Sequence, residues 1–157
     1  MSLAPSPELT VLGLAAILQA GQIGLAAWSM NRDGLSKWNA GPRDALERLV
    51  RASFQAIHDS RDQVAIYQDE IKHLQGIPRF DYLELGNREF RDMWIEVLEA
   101  GQASGAFRAD LDPNLTYRFM RDTVWVAVRW YRPGGKVSQE EIADQYLRIV
   151  LDGLADD

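Results

Sequence analysis

The sequence predicts an all-α domain, and three observations carry that expectation. Apolar residues recur at intervals of three and four along successive stretches. Most of those stretches open or close on a cap or breaker residue. No stretch alternates apolar and polar residues as a half-buried strand would. The length, 157 residues, suits one domain around one core. Apolar residues make up 46% of the chain and charged residues 25%, the proportions of an ordinary globular protein.

Residues 1–8 hold two prolines and no pattern, and are expected to be a disordered leader. Leu9 to Asn31 contains no charged residue and is as long as a bilayer-crossing helix. Gln19 and Gln22 lie in its middle, three glycines interrupt it, and no Lys or Arg precedes it. The favoured reading is a helix buried on most sides, with a membrane anchor as the alternative. After a Gly- and Asn-rich linker, Pro42 takes a first helical position. Ala45, Leu46, Leu49, Val50, Phe54 and Ile57 then mark an amphipathic helix over 42–59.

Ser60 with Gln63 three residues on reads as a capping box, so a new helix is expected from Ser60 to Gly76. Ile77-Pro78 ends it. The run from Phe80 to Ser104 is the longest. Tyr82, Leu83, Phe90, Met93, Trp94, Val97 and Leu98 form its apolar face, Gly86 suggests a bend, and Gly101 with Gly105 should loosen its far end. Asp112 then caps a helix with Pro113 in its first turn, and Arg132-Pro133-Gly134-Gly135 stops it. Ser138 with Glu141 forms a second capping box, opening a last helix with Ile142, Tyr146, Ile149, Val150 and Leu154 on one face.

Several chemistries lack their residues. No cysteine is present, which removes disulfides and thiolate metal sites and fits a cytoplasmic protein. His58 and His73 have no third or fourth ligand at metal spacing, so no metal is expected. Serine-nucleophile motifs and glycine-rich phosphate loops are absent, so the chain reads as a non-enzyme without a cofactor. A net charge of −6 disfavours nucleic-acid binding by the chain itself.

Two patterns remain. Phe54, Tyr67, Phe90, Met93 and Trp94 fall on inward faces of successive helices, which suits either plain core packing or a lined cavity. The helix over Leu115–Tyr131 carries two stripes. Leu115, Phe119, Val126 and Trp130 form an apolar one; Arg118, Asp122, Trp125 and Arg129 form a charged one. Arg129 stands between Val128 and Trp130, so its charge needs a partner: Asp122, a carboxylate on a neighbouring subunit, or an anionic ligand. The apolar stripe and the face of Ile142, Tyr146, Ile149 and Val150 form a self-complementary patch, suited to a four-helix bundle between two copies.

Gly105-Ala-Phe-Arg-Ala-Asp-Leu-Asp-Pro113, Trp130-Tyr-Arg-Pro-Gly-Gly135, Ser138-x-Glu-Glu-Ile142 and the run Tyr146 to Leu154 resemble the effector domain of TetR-family transcriptional regulators. Within that family, Leu115 to Tyr131 is similar to the actinobacterial repressors of sterol-ring catabolism, whose effector is an acyl-CoA thioester. The resemblance runs from about Pro42 to the end and does not extend over 1–41. It implies about six helices, a homodimer built on the last two, and a pocket among the others for a small-molecule effector. It also implies that Trp125 and Arg129 contact the effector. Asp122, Trp94, Met93, Phe90 and Tyr67 complete the expected lining. Family members begin with a basic helix-turn-helix of roughly fifty residues, for which this sequence has no counterpart. Residues 9–31 then stand as an atypical linking helix at the start of an effector domain over 9–157, with DNA contacted only through the missing segment; the alternative is a partner that only dimerises, without ligand or DNA binding.

Overall fold

The computed structural model describes residues 41–155. The expected leader and the uncharged segment 9–31 lie outside these residues. The described residues form four α-helices and one short 3-10 turn, with no strand among them. We label them α1 (Pro42–Leu74), α2 (Asp81–Ala103), α3 (Pro113–Trp130) and α4 (Gln139–Leu154), with the 3-10 turn at Pro78–Phe80. The first of these packs against each of the other three, and α2 also packs against α3.

Helix α1 breaks at the expected boundary: two helical halves meet at Ser60, whose φ −138° and ψ 37° leave helical geometry, and the axis kinks there without a linker. The Ser60 hydroxyl makes no capping bond to Gln63 among the described residues. Two side chains flanking the kink fasten to one residue at the end of α3. The Tyr131 hydroxyl lies 2.6 Å from His58 Nδ1, and Arg61 Nε donates to the Tyr131 carbonyl at 2.8 Å. The bend is therefore held by tertiary bonds rather than by a local cap.

The remaining helix starts follow the caps. Leu115 N–H donates to the Asp112 carboxylate at 2.9 Å. At Ser138 the reciprocal capping box forms, with Glu141 N–H donating to Ser138 Oγ at 3.2 Å and Ser138 N–H donating to Glu141 Oε2 at 2.8 Å. Gly134, at φ 76°, makes the turn between α3 and α4 in a left-handed conformation that a side chain would strain.

Two glycines behave otherwise than expected. Helix α2 runs through Gly86 without a break, and Gly86 is buried. Gly101 does not loosen the end of α2. The chain doubles back so that Phe107 N–H donates to the Gly101 carbonyl at 3.0 Å, and the Phe107 ring occupies the space a Cβ would need. Arg108 N–H then donates to the Leu154 carbonyl at 2.8 Å, fastening this loop to the end of α4. Local glycine propensity is overridden by the ring that needs to lie flat on the helix.

The core face of α3 is Tyr117, Met120, Val124, Trp125, Ala127 and Val128. Helix α4 turns Ala143, Leu147, Leu151 and Leu154 inward. Ile142, Tyr146 and Val150, expected on the dimerising face, are partly buried against the chain's own core, and Tyr146 stacks edge-on to Phe54 at 5.7 Å. Phe119, Trp130 and Ile149 remain 65%, 57% and 68% exposed.

Gly101→Ala is expected to destabilise the domain by about 1–3 kcal/mol, since the Phe107 ring must leave its seat. Gly153→Ala, whose Cβ would meet nothing, should be neutral or stabilising by up to about 1 kcal/mol. Thermal unfolding of the two variants checks the contrast; equal melting temperatures would refute the packing assigned to Gly101.

Candidate functional site

The kink in α1 divides its labour. Its first half packs beneath α4, where Arg51 pairs with Asp144 at 2.7 Å. Its second half turns Tyr67, Gln68, Ile71 and Lys72 into a cavity of about 820 Å³, walled on the other sides by α2 and α3. That volume lies within the range of small-molecule sites.

Aromatic rings line part of the cavity. Phe90 meets Trp125 nearly edge-on at 6.0 Å, and Tyr117 adds a third ring to the lining. Behind them lies Trp94, fully buried, 6.0 Å from Phe90 and 6.3 Å from Tyr117. Its indole N–H has no partner among the described residues. Burial pushes the Tyr67 phenol up to about 12 and raises Tyr117 as well, so both stay protonated and neutral near pH 7. Gln68 Nε2 donates to the Trp125 carbonyl at 3.2 Å, joining the α1 and α3 walls.

Cations predominate among the charged lining residues. Lys72, Arg88, Arg91, Arg121 and Arg129 stand against Glu84 and Asp122, in a chain whose net charge is negative. Arg121 Nε donates to Asp122 at 2.7 Å, and its guanidinium lies 5.7 Å from the Tyr117 ring centre. The hydrogen bond to Asp122 is the main reason the Arg121 pKa is raised above the usual arginine value. Arg88 approaches Glu84 at 3.6 Å, while Arg91 bonds Asn114 at 2.7 Å. These are exposed pairs of small individual worth, so an anion can exchange for them at little loss.

Of the seven expected lining residues, Tyr67, Phe90, Asp122, Trp125 and Arg129 do line the cavity. Met93 and Trp94 do not; one helical turn beyond Phe90 their side chains point into the packed core. Arg118, on the expected charged stripe, is exposed and lies outside the cavity. The lining arc of α3 is rotated by one residue and runs Tyr117, Arg121, Trp125 and Arg129. Tyr117 and Arg121 were missed, although their i, i+4 spacing ahead of Trp125 was the available signal. Arg129 is also not buried. Its side chain is 64% exposed and pairs with Asp69 at 3.3 Å, so neither Asp122 nor desolvation determines its role. Val126, assigned to the apolar stripe, reaches the cavity wall as well.

Comparison with known proteins agrees with this architecture. Residues 39–154 match the family described as tetracyclin repressor-like, C-terminal domain. The HTH-type transcriptional repressor KstR2 of Rhodococcus jostii is 59% identical over 113 residues, covering 72% of this chain and 55% of that protein. The solved ketosteroid transcriptional regulator KstR2 of Mycobacterium tuberculosis superposes with a TM-score of 0.73 at 46% identity, over 83% of this chain and 66% of that one. AibR, solved with isovaleryl coenzyme A and operator DNA, shares the fold with a TM-score of 0.62 at 19% identity, over 85% of this chain and 71% of that one. The chain spans about half the length of the curated relatives it matches. By its matched span and its relatives, the chain belongs to the TetR family of transcriptional regulators, through their C-terminal domain.

Proposed function

We propose that this chain is the effector-sensing and dimerising part of a transcriptional repressor, and that its effector joins an apolar body to an anionic head, as an acyl-CoA thioester does. The observation that carries this is the cavity itself: aromatic rings in its lining, and Lys72, Arg88, Arg91, Arg121 and Arg129 around them in an otherwise acidic chain. Rings bury an acyl group, and guanidinium groups take phosphate oxygens in bidentate fashion. The crystallised AibR complex indicates that this fold can accept a coenzyme A thioester. The KstR2 relatives are named repressors, which supports the same role for a full-length protein containing this domain. A partner that only dimerised would need no such cavity.

Control of DNA binding would follow from differential affinity. The effector favours one arrangement of the dimer over another, and DNA favours the other. The exposed Leu115, Phe119, Val126 and Trp130 on α3, with Ile149 on α4, supply the surface for the second copy. A side-chain contact bridges the two helices beside this surface, where the Thr123 and Tyr146 hydroxyls lie 3.0 Å apart. Among the described residues no helix is long and apolar enough to cross a membrane.

An acyl-CoA at about a hundred times its dissociation constant should stabilise the domain by roughly 2.7 kcal/mol and raise the melting temperature accordingly. Arg121→Ala and Arg129→Ala should each remove most of that rise while leaving the unliganded melting temperature nearly unchanged. No rise across a panel of short, branched and cyclic acyl-CoAs would overturn the thioester assignment.

Phe119→Glu combined with Trp130→Glu should convert a dimer to a monomer in analytical ultracentrifugation. A wild-type chain that sediments as a monomer at tens of micromolar would refute the interface.

A further inference from the structure

We propose that Asn87, held in place by Tyr67, reads a hydrogen-bond acceptor on the apolar body of the effector, so that the cavity selects an oxygenated body over a plain hydrocarbon one. The inference rests on the effector reading above and assigns a specificity determinant within it.

Tyr67 from α1 and Asn87 from α2 both line the cavity, and the Tyr67 hydroxyl donates to Asn87 Oδ1 at 2.7 Å. A primary amide has one acceptor oxygen and an NH₂ with two donors. With Oδ1 taken by the phenol, what the amide still offers is its pair of N–H donors, which have no partner among the described residues. In this bond the phenol is the donor and the amide oxygen the acceptor, which leaves the NH₂ turned to other partners. The amide orientation is therefore determined by a residue on a different helix.

The position matters as much as the orientation. Asn87 lies one turn before Phe90 on α2, so its amide stands next to the aromatic lining. The arginines are suited to anionic groups; Asn87 is a neutral donor beside the apolar lining. An effector that presses a methylene against it removes its water and returns no bond. An effector with a carbonyl or hydroxyl oxygen at that place restores the bond. The pair thus rewards oxygen and penalises hydrocarbon at one point of the cavity.

The test compares 4-oxocyclohexanecarbonyl-CoA with cyclohexanecarbonyl-CoA, which differ by one oxygen, using calorimetric titration of the full chain. The wild type should prefer the ketone by about tenfold. Asn87→Leu should bring the preference close to one, because it removes both the bond to the ketone and the penalty on the hydrocarbon twin. Tyr67→Phe, which keeps the ring but frees the amide to rotate, should lower the ratio of the two affinities; a merely structural tyrosine would weaken both equally and leave the ratio unchanged. An absent preference in the wild type, or one that survives Asn87→Leu, overturns the assignment.

A second pair without an anionic head separates this inference from the thioester reading and needs no variant to fold. Cyclohexanone should shift the Asn87 side-chain amide signals in a ¹⁵N spectrum, and methylenecyclohexane should not. That result upholds the role of Asn87 even if no thioester binds. Equal shifts, or none, overturn it whatever the thioesters do.

Discussion

The kink at Ser60 is the constraint on which the rest of the domain depends. A straight α1 would present one continuous face, and that face could serve either α4 or the cavity. By leaving helical geometry at one residue, α1 gives its first half to α4 and its second half to the cavity wall. The bend survives because Tyr131 binds both of its flanks, through its hydroxyl to His58 and through its carbonyl to Arg61. Tyr131 is also the C-cap of α3. The helix with the largest share of cavity residues is thereby tied to the joint that shapes the opposite wall.

Helix α3 shows what a short helix can be asked to do. Tyr117, Met120, Val124, Ala127 and Val128 face the core. Arg121, Asp122 and Arg129 stand at the cavity wall. Leu115, Phe119 and Trp130 remain open on the outside. Such a helix has too little polar surface to be stable alone, so its three faces need three different neighbours. Two of these neighbours are in the chain. The third face is apolar and exposed, and it is the one we propose a second copy covers.

The electrostatics of the cavity run against those of the chain. A net charge of −6 describes the whole sequence, yet cations gather where α1, α2 and α3 converge. They are spread from Lys72 to Arg129, and no run of basic residues announces them. Tertiary packing concentrates a potential that composition dilutes.

Much of the fold was legible in the chain. Asp112 and Ser138 begin their helices as their capping chemistry requires, because a cap is satisfied by atoms within one turn. Pro42 and Gly134 mark their boundaries for equally local reasons. The aromatic and charged character of the α3 stripe was visible too, since Trp125 and Arg129 share a face on any helix. What needed the tertiary structure was every feature set by a neighbour beyond one helical turn. Ser60 was legible as the junction of two helices, but its capping box does not form, and bonds from His58 and Arg61 to Tyr131 hold the bend instead. Gly101 looked like a loose end until the Phe107 ring lay on it. Arg129 looked buried by its apolar neighbours, yet it is exposed beside Asp69, sixty residues away. The choice between Arg118 and Arg121 at the cavity depended on a rotation of one residue about the helix axis. Periodicity defines a face only relative to its own helix; the packing against α1 and α2 decides which way that face points.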